Sequence, residues 1–405
     1  TNSTIWGSII EVGAVVVDKN LKEIGKLNIR GRMPEGEVPS AKALLVNSTS
    51  IDLLTKGNYS HYEFLGAVEN FFVKAAPAMF MGWSNLNFDR RMFHFNFFKG
   101  NRYPYLTHSS PNQEHDGLHV ARAAQTIDSK TLKTELTEAG NESLALEGLS
   151  RQQGFDTSAA HTAYVDAHNS LKILRIIKDK HKTNWEKFLG TSTKSSVESI
   201  LKGEGIYSIF ENVKGRNMMY LVCTLHPAHC FHPSYASWGY LWDLRRDPEP
   251  FLNMSVNELK ANLKKISPKA TRVIKTNKAP IVLDKKFALK EKAYADLDLE
   301  TIKKRAELVR SSEKFCQNIQ IINREAADEK AQTKTQEDLL PEETLYEKFI
   351  PNKDTALFKI WHSSSWEDKL RMLDKFTDKR CSSVSYTHLR AHETRHDLVC
   401  RLLLE

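Results

Sequence analysis

No run of apolar residues in this 405-residue chain approaches the roughly 20 that a bilayer-spanning helix requires, and nothing in its first residues reads as a signal peptide. That pattern argues against a protein held in a membrane by helices. Cysteine is scarce: five residues, at 223, 230, 316, 381 and 400, odd in number and scattered. Such usage argues against a disulfide framework and leads to the expectation of a reducing, cytoplasmic location. No internal repeat is present. Acidic residues are outnumbered, 50 against 58 Lys and Arg, and the net charge of +8 favours an acidic partner. At this length the chain can build two or three domains, each with its own core.

Residues 9–18, Ile-Ile-Glu-Val-Gly-Ala-Val-Val-Val-Asp, form a β-branched run that predicts a buried strand. A turn at Asp18–Asn20 then returns through Ile24–Ile29. Tyr62–Lys74 carries Phe64, Leu65, Val68, Phe71 and Phe72 on one helical face. A short strand at Ala78–Gly82 leads through Asn85–Asp89 into a helix ending at Phe98, and residues 145–155 and 163–180 read as two more helices. This alternation predicts an α/β domain ending near residue 190. Residues 191–205, rich in Ser, Thr, Lys and Gly, read as a linker. Strands are expected at Met218–Thr224 and Tyr235–Leu244, and a capping box at Ser255–Glu258 starts a helix over Asn257–Ile266. Asp296–Ala331 and Leu345–Lys379 are helical in pattern, separated by a polar spacer over Lys330–Glu337.

Ala160-His161-Thr-Ala-Tyr-Val-Asp166 offers the first chemistry. Five helical steps turn the chain about 500°, so His161 and Asp166 can meet only if His161 lies in the loop before the helix that carries Asp166. Phe80-Met-Gly-Trp-Ser-Asn-Leu-Asn-Phe-Asp89 places another carboxylate just after a strand. Taken alone, Asp89 suits a helix N-cap. Asp89, His161 and Asp166 in this order, behind Ile-Ile-Glu-Val-Gly-Ala-Val, resemble the DEDDh 3′→5′ exonuclease superfamily. Gly82–Asp89, Asp116-Gly-Leu-His-Val-Ala-Arg-Ala123 and Leu146-Glu-Gly-Leu149 are similar to its bacterial exonuclease I branch. So are Leu225-His-Pro227, Asn277-Lys-Ala-Pro-Ile281 and Phe376-Thr-Asp-Lys-Arg380, outside the nuclease domain. The similarity runs over about residues 9–383.

The resemblance implies an RNase H-like exonuclease domain with a mixed sheet (1–190), an SH3-like β-rich module (191–290) and a partial α-helical domain (291–383). It implies removal of 5′-mononucleotides from 3′ ends of single-stranded DNA in repair and recombination. Two Mg²⁺ ions (or Mn²⁺) would be held by four carboxylates, with Asp89 and Asp166 as two of them and His161 as the general base. The other two belong to an Asp-x-Glu on a strand preceding Ile9, and residues 1–8 hold none. Glu11 does not replace them, since its run follows that strand in the family. The chain also does not start with Met. An N-terminal truncation is therefore expected, with the 405 residues inactive or nearly so. The family implies a monomer without membrane contact that binds single-stranded DNA and the acidic tail of single-stranded DNA-binding protein. The alternatives are another DEDDh nuclease, of proofreading or oligoribonuclease type, and a noncatalytic single-strand binder.

Two positions depart from the family: Ala145 stands where a basic residue precedes the Leu-Glu pair, and His119 replaces an Asp. Cys223, His226, His229, Cys230 and His232 crowd together, but finger-like spacing is absent, which weighs against zinc. Lys260–Lys304 carries thirteen Lys or Arg against five acidic residues, interleaved with Phe287 and Tyr294, and can be read as a solvated face or a strand-tracking channel. Trp361 and Trp366 read as packing residues. Residues 384–405 match what sequencing-adapter DNA encodes in frame, so the natural sequence is expected to end near Ser383.

Overall fold

The β-branched run forms strand β1 (Glu11–Val17), paired antiparallel with β2 (Glu23–Arg30). Asp18 makes the turn, its Oδ1 accepting from the amides of Asn20 and Lys22. The computed structural model describes residues 3–5, 7–34, 36–46, 49–157, 162–203, 205–332, 339–387 and 389. Short helices α1 (Ala41–Val46) and α2 (Ile51–Thr55) follow. Helix α3 (His61–Ala75) starts at a reciprocal Ser60–Glu63 capping box and buries Phe64, Leu65, Val68 and Phe72. Next come β3 (Met79–Gly82), α4 (Asp89–Lys99), β4 (Gln113–Asp116) and α5 (Gly117–Ile127), with β4 parallel to β3. A small hairpin of β5 (Glu135–Leu136) and β6 (Glu142–Ser143) precedes α6 (Leu146–Gln152), α7 (Ala163–Lys180) and α8 (Trp185–Leu189).

Strands and helices thus alternate as an α/β fold requires, the described strands pairing antiparallel in β1–β2 and β5–β6 and parallel in β3–β4. The β1–β2 and β3–β4 pairs share one core: Val12 and Ile29 meet Phe64, Val68, Phe72 and Met92, and Phe80 packs against them. Gly13 sets how closely α7 approaches β1. A Cβ there would lie under 3.0 Å from the backbone of Ala163 and Tyr164, so only glycine allows this contact.

The expected linker is instead partly helical. Thr193 caps α9 (Lys194–Lys202), whose Val197 and Leu201 are fully buried. Its Ser- and Lys-rich composition disguised two apolar positions four residues apart, enough to seat one turn on a neighbouring sheet. That sheet is antiparallel, in the order β10-β9-β8-β7-β11, built from β7 (Ile206–Val213), β8 (Arg216–Thr224), β9 (Trp238–Asp243), β10 (Thr271–Lys275) and β11 (Val282–Asp284). Between β9 and β10 runs α10 (Val256–Lys265), with the Ser255–Glu258 capping box in place. The basic stretch beginning at Lys260 is not one free face. Arg272 is buried, bonded to Glu211 at 3.0 Å and stacked 3.5 Å from the Tyr220 ring centre. Phe287 and Tyr294 are buried too, the Tyr294 hydroxyl donating to Asp243 at 2.9 Å, so neither is free to stack on bases.

The helical pattern from Asp296 divides at Ser312 into α11 (Leu299–Ser311) and α12 (Glu313–Gln332). Residues 333–337 of the polar spacer lie outside the described residues. Helices α13 (Asn352–Ser363) and α14 (Trp366–Met372) follow, and residues 379–387 are helical again. Trp361 is fully buried with Phe95, Phe98, Phe358 and Phe376, whereas Trp366 is partly exposed beneath Lys369. Val384 and Leu389 join that cluster, and residues 388 and 390–405 of the adapter-like tail lie outside the described residues. Among the described residues no helix is long and apolar enough to cross a membrane.

Candidate active site

Asp89 and Asp166 come from different elements and meet electrostatically. Asp89 opens α4 and is not its N-cap; that place belongs to Phe88, which makes no side-chain cap bond. The capping reading of Asp89 therefore fails, and its carboxylate is left for other work. Asp166 sits in the first turn of α7, its amide bonded to the Thr162 carbonyl at 3.1 Å. Helix N-termini favour negative charge. Even so, the Asp89 carboxyl is pushed up to about 6. Crowding by the surrounding protein is the largest cause, and the charges of Asp116 and Asp166 add to it. Asp89 keeps an exposed edge, so this crowding is that of a cleft wall rather than a core. His161, the expected base, lies outside the described residues.

A third carboxylate organises the loop between β3 and Asp89. Asp116 is fully buried and caps α5, its Oδ1 accepting from the amides of Leu118 and Ser84, each at 2.9 Å. Ser84 has φ 60°, a left-handed conformation that a serine adopts only under constraint, and this bond supplies one. The second oxygen, Oδ2, is buried without a hydrogen-bond partner. Sequence reasoning quoted Asp116 within a motif but gave it no role. An Asp closing a strand before a Gly-initiated helix was the available signal.

The far side of the loop is held by the turn between β10 and β11. Lys278 Nζ donates to the Leu86 carbonyl, and Arg90 Nη1 to the Asn277 carbonyl at 2.8 Å. Burial among Arg90, Lys275 and Arg91 drops the Lys278 ammonium to about 8. The unexplained His119 now has a partner. Its Nδ1 lies 3.2 Å from the Ala279 carbonyl, and Thr191 Oγ1 donates to the Pro280 carbonyl at 2.5 Å. Ala279 has φ 40°, again left-handed, so the turn is strained and pinned at several atoms. Burial holds His119 below its ordinary value, which keeps the ring neutral with one N–H to donate.

Two adjoining clefts open along this seam, with Arg122 lining both. One is bounded by Trp83, Leu118, Ala145 and Asn217, the other by His119, Lys275 and Lys278. Arg122 thus places a guanidinium in the cleft where Ala145 offers no charge, steadied by Asn217 Oδ1 at 3.2 Å from its Nε.

Whether the residues fit a metal depends on kind and on number. Asp89 and Asp166 are hard oxygen donors whose mutual repulsion a cation would relieve, which suits Mg²⁺ or Mn²⁺. Among the described residues, however, no third His, Cys, Asp or Glu joins them with ligand atoms all within 4.8 Å. The pair suits one hard cation completed by water or phosphate; a two-ion cage needs ligands that the described residues do not supply.

No protein-family model matches the chain. Exodeoxyribonuclease I of Haemophilus influenzae is 23% identical over 267 residues, covering 63% of this chain and 56% of that protein. The chain thus spans little more than half the length of this curated relative. Its fold matches Escherichia coli Exonuclease I solved in complex with a dT13 oligonucleotide, with a TM-score of 0.76 and 17% identity, over 96% of this chain and 84% of that one. It also matches the chain of an ExoI/SSB-Ct complex, with a TM-score of 0.74 and 15% identity, over 96% and 83%. In sequence and in fold, the chain is similar to exodeoxyribonuclease I.

Proposed function

We propose that the chain is a 3′→5′ exodeoxyribonuclease that shortens single-stranded DNA to 5′-mononucleotides as a monomer in the cytoplasm. The observation that carries this reading is the Asp89–Asp166 pair, two carboxylates from α4 and α7 close enough for the charge of one to raise the other. A bound divalent ion, Mg²⁺ in the cell, would supply a Lewis acid for the scissile phosphate. The protein's own part is to hold two carboxylates at fixed helix starts, to aim the Ser84–Asp89 loop through Asp116, and to offer Arg122 to the DNA backbone. The C-terminal tail of single-stranded DNA-binding protein is the proposed protein partner. The relatives known to bind an oligonucleotide and SSB-Ct support both partners. The described cysteines 223, 230, 316 and 381 are buried free thiols, which suits a reducing compartment.

Among the described residues two carboxylates meet at the site, so slow turnover must be detectable. The test therefore uses excess protein, Mn²⁺ and a 5′-labelled single strand. Residual products should shorten from the 3′ end by single nucleotides, and Asp89→Asn or Asp166→Asn should abolish them. Asp166→Asn should also bring the Asp89 carboxyl below 6 in a carboxyl ¹³C titration. Internal cuts, or equal binding to duplex and single strands, would sink the proposal.

A further inference from the structure

We infer that His226, His229 and Glu313 form a second metal site, separate from the carboxylate pair and suited to a borderline transition ion, Zn²⁺ in a cell. One ligand atom from each residue lies within 4.8 Å of the other two, and this is the one such group of three among the described residues. The two histidines, three residues apart, stand on the loop after β8, and Glu313 is the first residue of α12. The site thus joins part of the sequence cluster to a carboxylate more than eighty positions further on.

The hydrogen bonds around His229 make the case. Gln320 Nε2 donates to the Phe231 carbonyl at 2.7 Å, which fixes the amide and turns Oε1 toward His229 Nδ1 at 3.2 Å. A carbonyl oxygen there requires a proton on Nδ1. The neutral ring then has a lone pair on Nε2, and Nε2 lies 3.3 Å from Glu313 Oε1. Two electron-rich atoms at that distance call for a proton or a metal ion between them. An outer carbonyl fixing the tautomer of a ligating histidine is the arrangement metal sites use. His226 Nδ1 accepts from the Ala228 amide at 3.3 Å, so this ring would ligate by giving up that long bond or the proton on Nε2, while the His226 amide is tied to Cys316 Sγ on α12.

The donor set is two imidazoles and a carboxylate, which favours Zn²⁺ over Mg²⁺ and leaves a position open to water. Cys223 and Cys230 stay outside it: Cys223 is fully buried, and Cys230 Sγ donates to the Pro227 carbonyl. The competing arrangement is a protonated His229 paired with Glu313. A metal here would clip the β8–β9 loop to α12.

The test is thermal unfolding of the chelator-stripped chain in excess Mg²⁺, which occupies the oxygen-donor site. Zn²⁺ at about a hundredfold above its Kd should raise Tm by about 3 °C. Co²⁺ should give the visible absorption of a four-coordinate ion. His229→Gln and Glu313→Gln, both at solvent-accessible positions, should lose the shift and the band while circular dichroism is unchanged. The inference is overturned if Zn²⁺ adds nothing, or if a double His226→Gln/His229→Gln variant keeps the shift. It is likewise overturned if Glu313→Gln lowers Tm in the absence of metal and zinc leaves the unsubstituted chain unmoved, since a simple ion pair predicts that result.

Discussion

Acidification should destabilise this protein from about pH 6.5 downward, because His94 and His115 are buried uncharged. His94, on the helix that Asp89 opens, is pushed down to about 2 by burial, with His108, Arg90, Lys278 and Arg91 adding to the effect. Its Nδ1 lies 2.7 Å from the Tyr346 hydroxyl and its Nε2 3.3 Å from His108 Nδ1, with no carboxylate among the described residues against the ring to offset a buried charge. His115, fully buried on β4, is pushed down to about 4 by burial first and by His119 second. An unfolded histidine titrates near 6.5, so below that pH the unfolded chain binds protons that the folded chain refuses. Stability must then fall as pH drops through 6.5, until about pH 4 for His115 and about pH 2 for His94. Integrated from pH 7.5 to pH 5, each histidine contributes a loss of about 2 kcal/mol, and the two together about 4 kcal/mol. Asp89, raised in the fold, acts in the opposite sense and gains stability as pH falls from 6, but its exposed edge keeps that gain small. Urea unfolding followed by tryptophan fluorescence at the two pH values measures the difference. His94→Gln, which keeps a polar contact but cannot titrate, should remove about half of it. A loss below about 1 kcal/mol in the unsubstituted chain, or a full loss in a His94→Gln/His115→Gln double variant, would refute the reasoning.

Arg122→Ala should weaken single-strand binding and reduce the slope of log affinity against log salt by about 1, read by fluorescence anisotropy. An unchanged slope would remove Arg122 from the path of the DNA. Gly13→Val should cost about 1–3 kcal/mol, because a side chain there must displace the backbone at Tyr164. An unaltered denaturation midpoint would show that β1 and α7 are not in close contact.

The strands and helices legible from sequence were those with one strong period. The β-branched run of β1 and the apolar faces of α3 and α7 needed no partner to be recognised. Helix α9 was hidden because Ser, Thr and Lys outnumber its two anchoring residues. Strand β10 was hidden because Arg272 and Lys275 read as surface, whereas Arg272 lies inward against Tyr220. At the candidate site, Asp89 and Asp166 were singled out by their order in the chain. The roles of Asp116, Arg122 and His119 depend on partners dozens of positions away, at Ser84, Asn217 and Ala279, and no local pattern encodes such distances. The same holds for Glu313 beside His229.

The turn pinned by His119, Thr191, Arg90 and Lys278 has a consequence for anyone building chimaeras of this protein. The loop that ends at Asp89 is moulded on one side by its own chain segment and on the other by residues 277–280. Exchanging either half alone would pair a donor from one parent with a carbonyl from another. Activity in such hybrids should follow whether both faces of the seam were inherited together, even when every acidic residue is retained.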